Sequence, residues 1–343
     1  MTAPTVSVLM PVYNGDKFMH EAIDSIINQS YKNFEFIIIN DGSDDNSSEI
    51  ISSYKDSRIR LIDNKKNIGL VSSLNRGLDV VRGEYVARMD CDDISTKDRL
   101  DVQVKFMDKN KQIGASGSFY YLMRNKKKAI ADFPLTEKEI ECFLLFNSPI
   151  AHPTSILRMS LIKKNHLRYS SEYIHAEDYD LWSRISEYSE LANIARPLLY
   201  YREHEKQITN VERVSDKKQS SISRIRTRHL LQLGINASDK EASIHNIVSN
   251  GLTPKTGEQF NLTEQWLKKL VAANYESNMF DKKYLQKIIL ERWLRLCFNF
   301  YKGKAGLKYF IKSDLCKIIK LPLKMKMELA QNFYYSWKRL RIK

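Results

Sequence analysis

Residues 34–43 read FEFIIINDGS, a run that is apolar apart from Glu35, with isoleucine at 37, 38 and 39, and that breaks at Asn40-Asp41-Gly42-Ser43. A half-exposed strand alternates apolar and polar side chains. A run that is apolar at successive positions suits a strand buried on both faces of a parallel sheet. Asp41-Gly42-Ser43 is a turn signal that ends the strand, and a helix starts at Ser47. Upstream, VSVLMPVY at 6–13 is a second such run. Asn14-Gly15-Asp16 closes it, and a helical pattern follows with Phe18, Met19, Ala22, Ile23, Ile26 and Ile27 on one face. Downstream come a short strand at 59–62, a helix at 70–81 and a strand at 84–90. This alternation predicts an α/β fold with a doubly wound, mostly parallel sheet flanked by helices.

In such sheets ligands gather beyond the carboxyl ends of the strands. Asn14, Asp41 and Asp90 fall at three of those ends. The first strand-to-helix turn lacks the G-x-G-x-x-G spacing, which disfavours a dinucleotide site. From 112 to 201 the pattern is mixed: a strand-like QIGASGSFYYLM, a helix near 136–146, a strand at 153–158 and a helix starting near Ala176. Beyond Ser215 it is almost wholly helical.

The charge divides at the same place. Residues 1–205 carry 27 Lys and Arg against 30 Asp and Glu, whereas 206–343 carry 28 against 11. The net +14 therefore lies in the second part. The expected organisation is an α/β domain over 1–210 and a helical, basic C-terminal region over 211–343. The four cysteines are scattered without zinc-ligand spacing, which fits a reducing compartment. No apolar run reaches the roughly 20 residues needed to cross a bilayer. The first residues lack the pattern of a signal peptide, so the expected location is cytoplasmic.

Arg88-Met89-Asp90-Cys91-Asp92-Asp93 packs three carboxylates at the end of a strand. Crowded carboxylates repel one another, an arrangement that a divalent cation relieves, and oxygen ligands suit Mg²⁺ or Mn²⁺. The plainer reading is an exposed acidic turn in which Asp93 caps a helix. Glu177-Asp178-Tyr179-Asp180-Leu181-Trp182 opens a later helix, where acids also serve as capping groups. Functionally, a carboxylate there could take a proton from a hydroxyl.

PVYNG (11–15), INDGSDD (39–45), NIGLVSSLNRGL (67–78), GEYVARMDCDD (83–93) with Arg99-Leu100 after it, AEDYDLW (176–182) and YREHEKQIT (201–209) appear in that order. Together they resemble the ordered signature of family 2 glycosyltransferases, which have the GT-A fold, over residues 5–210. The resemblance implies inverting transfer from a nucleotide sugar, most often UDP-linked, with a divalent metal (Mn or Mg), of the kind that builds bacterial cell-surface polysaccharide. It assigns Pro11, Tyr13 and Asn14 to the nucleotide pocket, with Asp41 bonding the base; Asn67 and Arg88 line the same cleft. Asp90 holds ribose or metal, Asp92 is the expected metal ligand, and Asp178 is the expected base. His204 matches a position that approaches the metal or diphosphate. His152, before Pro153-Thr154, matches a family pattern whose role is acceptor-side or structural. The family's proline after the acidic turn is missing near Thr96-Lys97, which puts the stiffness of the donor loop in question.

The last stretch, 317–343, holds eight basic residues and one acid among Ile318, Ile319, Leu321, Leu323, Phe333, Tyr334, Tyr335 and Trp337. This composition suits a helix lying on an anionic membrane surface, and a helical tail packed on the protein is the alternative. The expected partners are a nucleotide-sugar donor, a glycan or lipid-linked glycan acceptor and the inner face of the cell membrane, with no specific nucleic acid. A nucleotidyltransferase, an inactive nucleotide-sugar-binding scaffold and a nucleic-acid-binding protein are the competing readings.

Overall fold

The structure is a computed structural model that describes residues 3–124, 127–204, 216–319, 322 and 327. The tail from Lys320 onward, on which the membrane expectation rests, lies outside the described residues except for Pro322 and Met327. The chain separates into two compact units. The first comprises Met1–Ile140 and Ser148–Ile222, and the second Glu141–Asn147 and Ser223–Lys343.

The first unit is built on a mixed nine-stranded sheet. Its strands are β1 (Val6–Val12), β2 (Phe34–Asn40), β3 (Ile59–Asp63), β4 (Tyr85–Arg88), β5 (Ile94–Ser95), β6 (Ile113–Arg124), β7 (Lys127–Ala131), β8 (Ile156–Arg158) and β9 (Glu190–Arg202). The order is β3-β2-β1-β4-β8-β6-β9-β5, with β7 paired to β6. Strands β1 to β4 pair in parallel, as the alternating strand and helix pattern predicts. The sheet then turns antiparallel at β8, while β6 and β9 run parallel to each other. The flanking helices are α1 (Asp16–Ile27), α2 (Ser47–Ser53), α3 (Leu70–Val80), α4 (Arg99–Lys109), α5 (Glu137–Leu144, whose residues from Glu141 belong to the second unit), α6 (Met159–Lys164) and α7 (Glu177–Ile185).

Every residue of β1 and of β2 is buried, which is why neither strand alternates in sequence. Met10, Val12, Phe36 and Ile38 pack with Met19, Ile23 and Ile26 of α1 in one core layer. Proline is disfavoured in a central strand because it cannot donate to the ladder, yet Pro11 sits in β1. The β1–β4 pairing stops at Leu9, whose carbonyl accepts from Met89. Pro11, two residues on, faces the same side beyond the end of β4, where no ladder bond is lost.

The second unit is helical: α8 (Asp216–Gln232, which starts in the first unit), α9 (Asp239–Asn250), α10 (Gly257–Ser277), α11 (Lys282–Tyr301), α12 (Lys304–Lys312) and α13 (Asp314–Ile318). Helices α9, α10, α11 and α13 start with side-chain caps. Ser238 and Glu241 form a capping box on α9, and the Asp281 carboxylate accepts from Lys283 and Tyr284 at the start of α11. Phe260, Trp293, Leu294 and Phe310 are central to its core. The Trp293 indole nitrogen donates to Ser313 at 3.0 Å. His245 is held between the Trp266 indole, which donates to Nδ1 at 3.0 Å, and the Leu145 carbonyl 2.9 Å from Nε2. Burial, with the charge of Arg226 second, lowers its pKa to about 3. That histidine is a neutral core strut.

Candidate active site

The order β2-β1-β4 with all three strands parallel places Asp41, Tyr13-Asn14 and Asp90 side by side at one sheet edge. Backbone and side chains there are tied together. Asn14 has φ +51, a left-handed conformation that asparagine tolerates. Its Oδ1 accepts from the Asp44 amide at 2.9 Å, and its own amide donates to the Ser43 hydroxyl at 3.0 Å. The Gly15 amide donates to Ser47, and the Asp16 amide to Asp45, each at 3.0 Å. The Asn14 side chain thus braces the two turns against each other, while the Tyr13 ring beside it is 48% exposed and presents a free face.

Asp41 is buried, and its carboxylate works as a latch on the 64–69 segment. Oδ1 accepts from Asn64 Nδ2 at 2.7 Å and from the Ile68 amide at 3.0 Å, and Oδ2 accepts from the Gly69 amide at 2.9 Å. Asn67 is exposed on the same loop, where its Oδ1 also accepts from the Gly69 amide, at 3.0 Å. Gly42 (φ +66) allows the close approach: a Cβ there would stand 2.5 Å from the Lys66 carbonyl carbon.

The acidic turn after β4 is not the exposed cap of the plainer reading. Asp93 is fully buried, and one of its oxygens accepts from the Arg202 amide at 3.0 Å. Its other oxygen is buried without a hydrogen-bond partner among the described residues. Carboxylate oxygens of Asp90, Asp92 and Asp93 all lie within 4.8 Å of one another. Burial, reinforced by the charges of Asp90 and Asp92, pushes Asp93 well above the ordinary aspartate range. Asp90 is raised by burial too, against the opposing charge of Arg88. Burial and the neighbouring carboxylates hold the Cys91 thiol protonated, so it is no nucleophile. An orphaned carboxylate oxygen and three mutually repelling acids are what a divalent cation would satisfy, so these residues fit Mg²⁺ or Mn²⁺.

Strand β9 closes the turn from the far end of the sheet. Arg202 Nε donates to the Asp92 carbonyl at 3.0 Å, and its guanidinium lies 4.5 Å from the Phe18 ring centre. His204 Nε2 is 2.9 Å from Asp92 Oδ2, with its ring tilted against Phe18. His204, chosen from sequence as a metal or diphosphate contact, is thus beside Asp92, chosen as metal ligand. Nothing local in the sequence marks Arg202 for this site, because only the register of β9 against β5 and β6 brings it to the turn.

Arg88 is buried and ion-paired with Asp90. Burial by itself would lower its pKa, but the charge and hydrogen bond of Asp90, joined by Asp93 and Tyr169, together raise it and hold it protonated. Its charge also acts on Glu177 and Asp178 at the start of α7. Burial, then repulsion from Asp178, lifts Glu177 to about 7. Asp178 is lifted chiefly by burial; its Oδ1 accepts from the Tyr179 amide at 2.7 Å, and its Oδ2 has only a long contact of 3.4 Å from Ser148. Asp180 instead pairs with Arg184 at 2.7 Å and serves the helix. His152 is buried against Trp182, with Nε2 3.0 Å from the Tyr169 hydroxyl. Burial and the Arg88 charge drive its pKa well below the usual range, so the ring is neutral, with Nδ1 4.0 Å from Glu177 Oε1.

Residues 7–165 match the sequence profile of glycosyl transferase family 2. An uncharacterized glycosyltransferase of Haemophilus influenzae is 38% identical over 220 residues, which is 61% of this chain and 68% of that protein. Among solved structures, S. aureus TarS 1–349 in complex with UDP-GlcNAc superposes with a TM-score of 0.60 at 16% identity, covering 98% of this chain and 92% of that one. The mannosyltransferase PcManGT from Pyrobaculum calidifontis, in complex with GDP-Man and Mn²⁺, gives 0.50 at 14% identity, covering 81% and 88%. The sheet is that of the GT-A fold, and this chain is a glycosyltransferase that belongs to glycosyl transferase family 2.

Proposed function

We propose that this protein transfers a sugar from UDP to an acceptor hydroxyl with inversion at the anomeric carbon. The observation that carries this reading is the buried Arg88, ion-paired with Asp90, whose charge also bears on Asp93, Glu177 and Asp178. A leaving-group side and a proton-accepting side thus share one electrostatic neighbourhood.

Asp178 takes the acceptor proton as the acceptor oxygen forms its bond to the anomeric carbon. The bond from that carbon to the diphosphate breaks, and its electron pair leaves with the nucleotide. Burial raises the proton affinity of Asp178 and so makes it a better base than a solvated aspartate. Its position at the N-terminus of α7 keeps the charged form supported before transfer. Asp92, with Asp90, Asp93 and His204, would hold the divalent cation. When bound, that cation neutralises charge growing on the diphosphate.

The occupancy of Asp41 supports UDP over GDP. A carboxylate offers about four acceptor sites, and Oδ1 already accepts twice while Oδ2 accepts once. The one site left suits the single imide N–H of uracil, whereas paired guanine donors would need both oxygens. The exposed Tyr13 ring supplies a stacking face for the base. For the acceptor, the excess of basic residues beyond 205 favours an anionic, lipid-linked glycan at a cytoplasmic membrane surface.

The test is a panel of UDP-sugars and GDP-mannose, each with Mn²⁺, Mg²⁺ or EDTA. The readouts are nucleoside diphosphate release and the anomeric configuration of the product. Metal-dependent UDP release with inversion is expected. Retention of configuration, or turnover with GDP-mannose alone, would refute the reading.

A further inference from the structure

Helix α12 presents a cationic face that the transfer reaction does not use. Its sequence is KAGLKYFIK. Gly306 and Phe310 are buried and Leu307 half-buried, whereas Lys304, Ala305, Lys308, Ile311 and Lys312 are exposed. Residues four apart stack on one side of a helix, so Lys304, Lys308 and Lys312 form one stripe with Ile311 alongside. Ile311 is 48% exposed among these lysines. Exposed Tyr301 and Lys302 precede the helix, and exposed Lys317 and Ile318 follow it on α13. Among the described residues none of Lys302, Lys304, Lys308 and Lys312 is paired with a carboxylate. Asp314, the nearest acid in the chain, is engaged by Lys317 at 3.2 Å and Lys268 at 3.5 Å.

We propose that this face of α12 docks on an anionic lipid surface, with Lys304, Lys308 and Lys312 at the headgroups and Ile311, together with Ile318 of the following helix, entering the interface. Unpaired lysines interleaved with exposed aliphatic side chains fit a surface that is charged at its boundary and apolar beneath. A nucleic acid or other soluble polyanion would use the lysines but leave the isoleucines without a role. The docking face rests on residues outside the transfer chemistry. Its link to a lipid-linked acceptor rests on the function proposed above, but the docking itself does not.

The experiment is co-sedimentation of the full chain with phosphatidylcholine vesicles with and without 30% phosphatidylglycerol. It compares wild type, Lys304→Gln/Lys308→Gln/Lys312→Gln, and Ile311→Ser/Ile318→Ser. Circular dichroism and UDP release by the same preparations report folding and catalysis separately. Wild type should bind only the anionic vesicles. The lysine variant should lose binding on the order of a hundredfold, given about 1 kcal/mol per lysine, and the isoleucine variant severalfold, both with unchanged UDP release. Equal binding by wild type and the lysine variant would overturn the proposal. Loss with the lysines but none with the isoleucines would mark a soluble-polyanion site and overturn the lipid assignment. Vesicle binding without any UDP release would leave the docking face intact and count against the transferase reading alone.

Discussion

Replacing Asp41 by alanine tests whether this carboxylate is a latch as well as a base contact. Three donors converge on it, from Asn64, Ile68 and Gly69, at 2.7–3.0 Å, and the residue is only 3% exposed. Hydrogen bonds to a charged group contribute roughly 1.5–3 kcal/mol each. The Ile68 and Gly69 amides are partly accessible and regain water, so the net loss is about 3–5 kcal/mol rather than the full sum. At about 2–4 °C per kcal/mol for a unit of this size, the first unit should melt on the order of 10 °C lower. Asp41→Asn keeps one acceptor oxygen but sets an NH₂ against an N–H donor, and should cost about half as much. Hydrogen–deuterium exchange of peptides spanning 64–70 gives the local readout, and titration with UDP gives the functional one. Both variants should expose that segment in the same order as their melting points. If Asp41→Ala lost UDP binding yet melted within 1 °C of wild type with the segment still protected, the latch would be wrong and a pure ligand contact right.

Asp178→Asn should leave UDP-sugar affinity within about twofold of wild type while lowering transfer by roughly 10²–10⁴, the usual worth of a general base; single-turnover product formation measures it, and near wild-type rates would remove Asp178 from the chemistry. Asp92→Asn should abolish the Mn²⁺ dependence of UDP binding, followed by calorimetry with and without the ion. Glu177 is lifted to about 7 by burial and then by Asp178, so between the usual glutamate value near 4.3 and about 7 the folded state binds the proton more tightly than the unfolded one. Its contribution to stability therefore falls as pH rises through that window. Glu177→Gln should accordingly raise the melting temperature relative to wild type more at pH 8 than at pH 4.5, and a pH-independent difference would refute the assignment. Gly42→Ala combines left-handed strain of about 1–2 kcal/mol with a Cβ 2.5 Å from the Lys66 carbonyl carbon, so it should weaken both stability and UDP binding.

Much of the fold is readable in residue order because the cues are local. Strands β1 and β2 have a neighbour on each side, are buried throughout and are mostly apolar, and Asp41-Gly42 and Asn14-Gly15 mark where they end. The acids at strand ends declare a ligand edge once the parallel alternation is recognised. Strand β9 escapes such a reading. It contains Arg196 and Pro197, and its register against β6 shifts more than once, so no steady period marks it.

The chemistry at the edge depends on pairs far apart in the chain. His204 meets Asp92 across 112 positions and Arg202 meets Asp93 across 109, distances at which no local pattern carries information. Burial of Asp93, the latch made by Asp41 and the elevated pKa of Glu177 belong to the same class. A motif names which acids are available, whereas desolvation and the placement of Arg88 set their charge states. Residue identity along the chain was enough for the family and for placing the acids at the strand ends; the charge states of those carboxylates came from packing, because electrostatic energy depends on separation and solvent access, which exist only after the strands assemble.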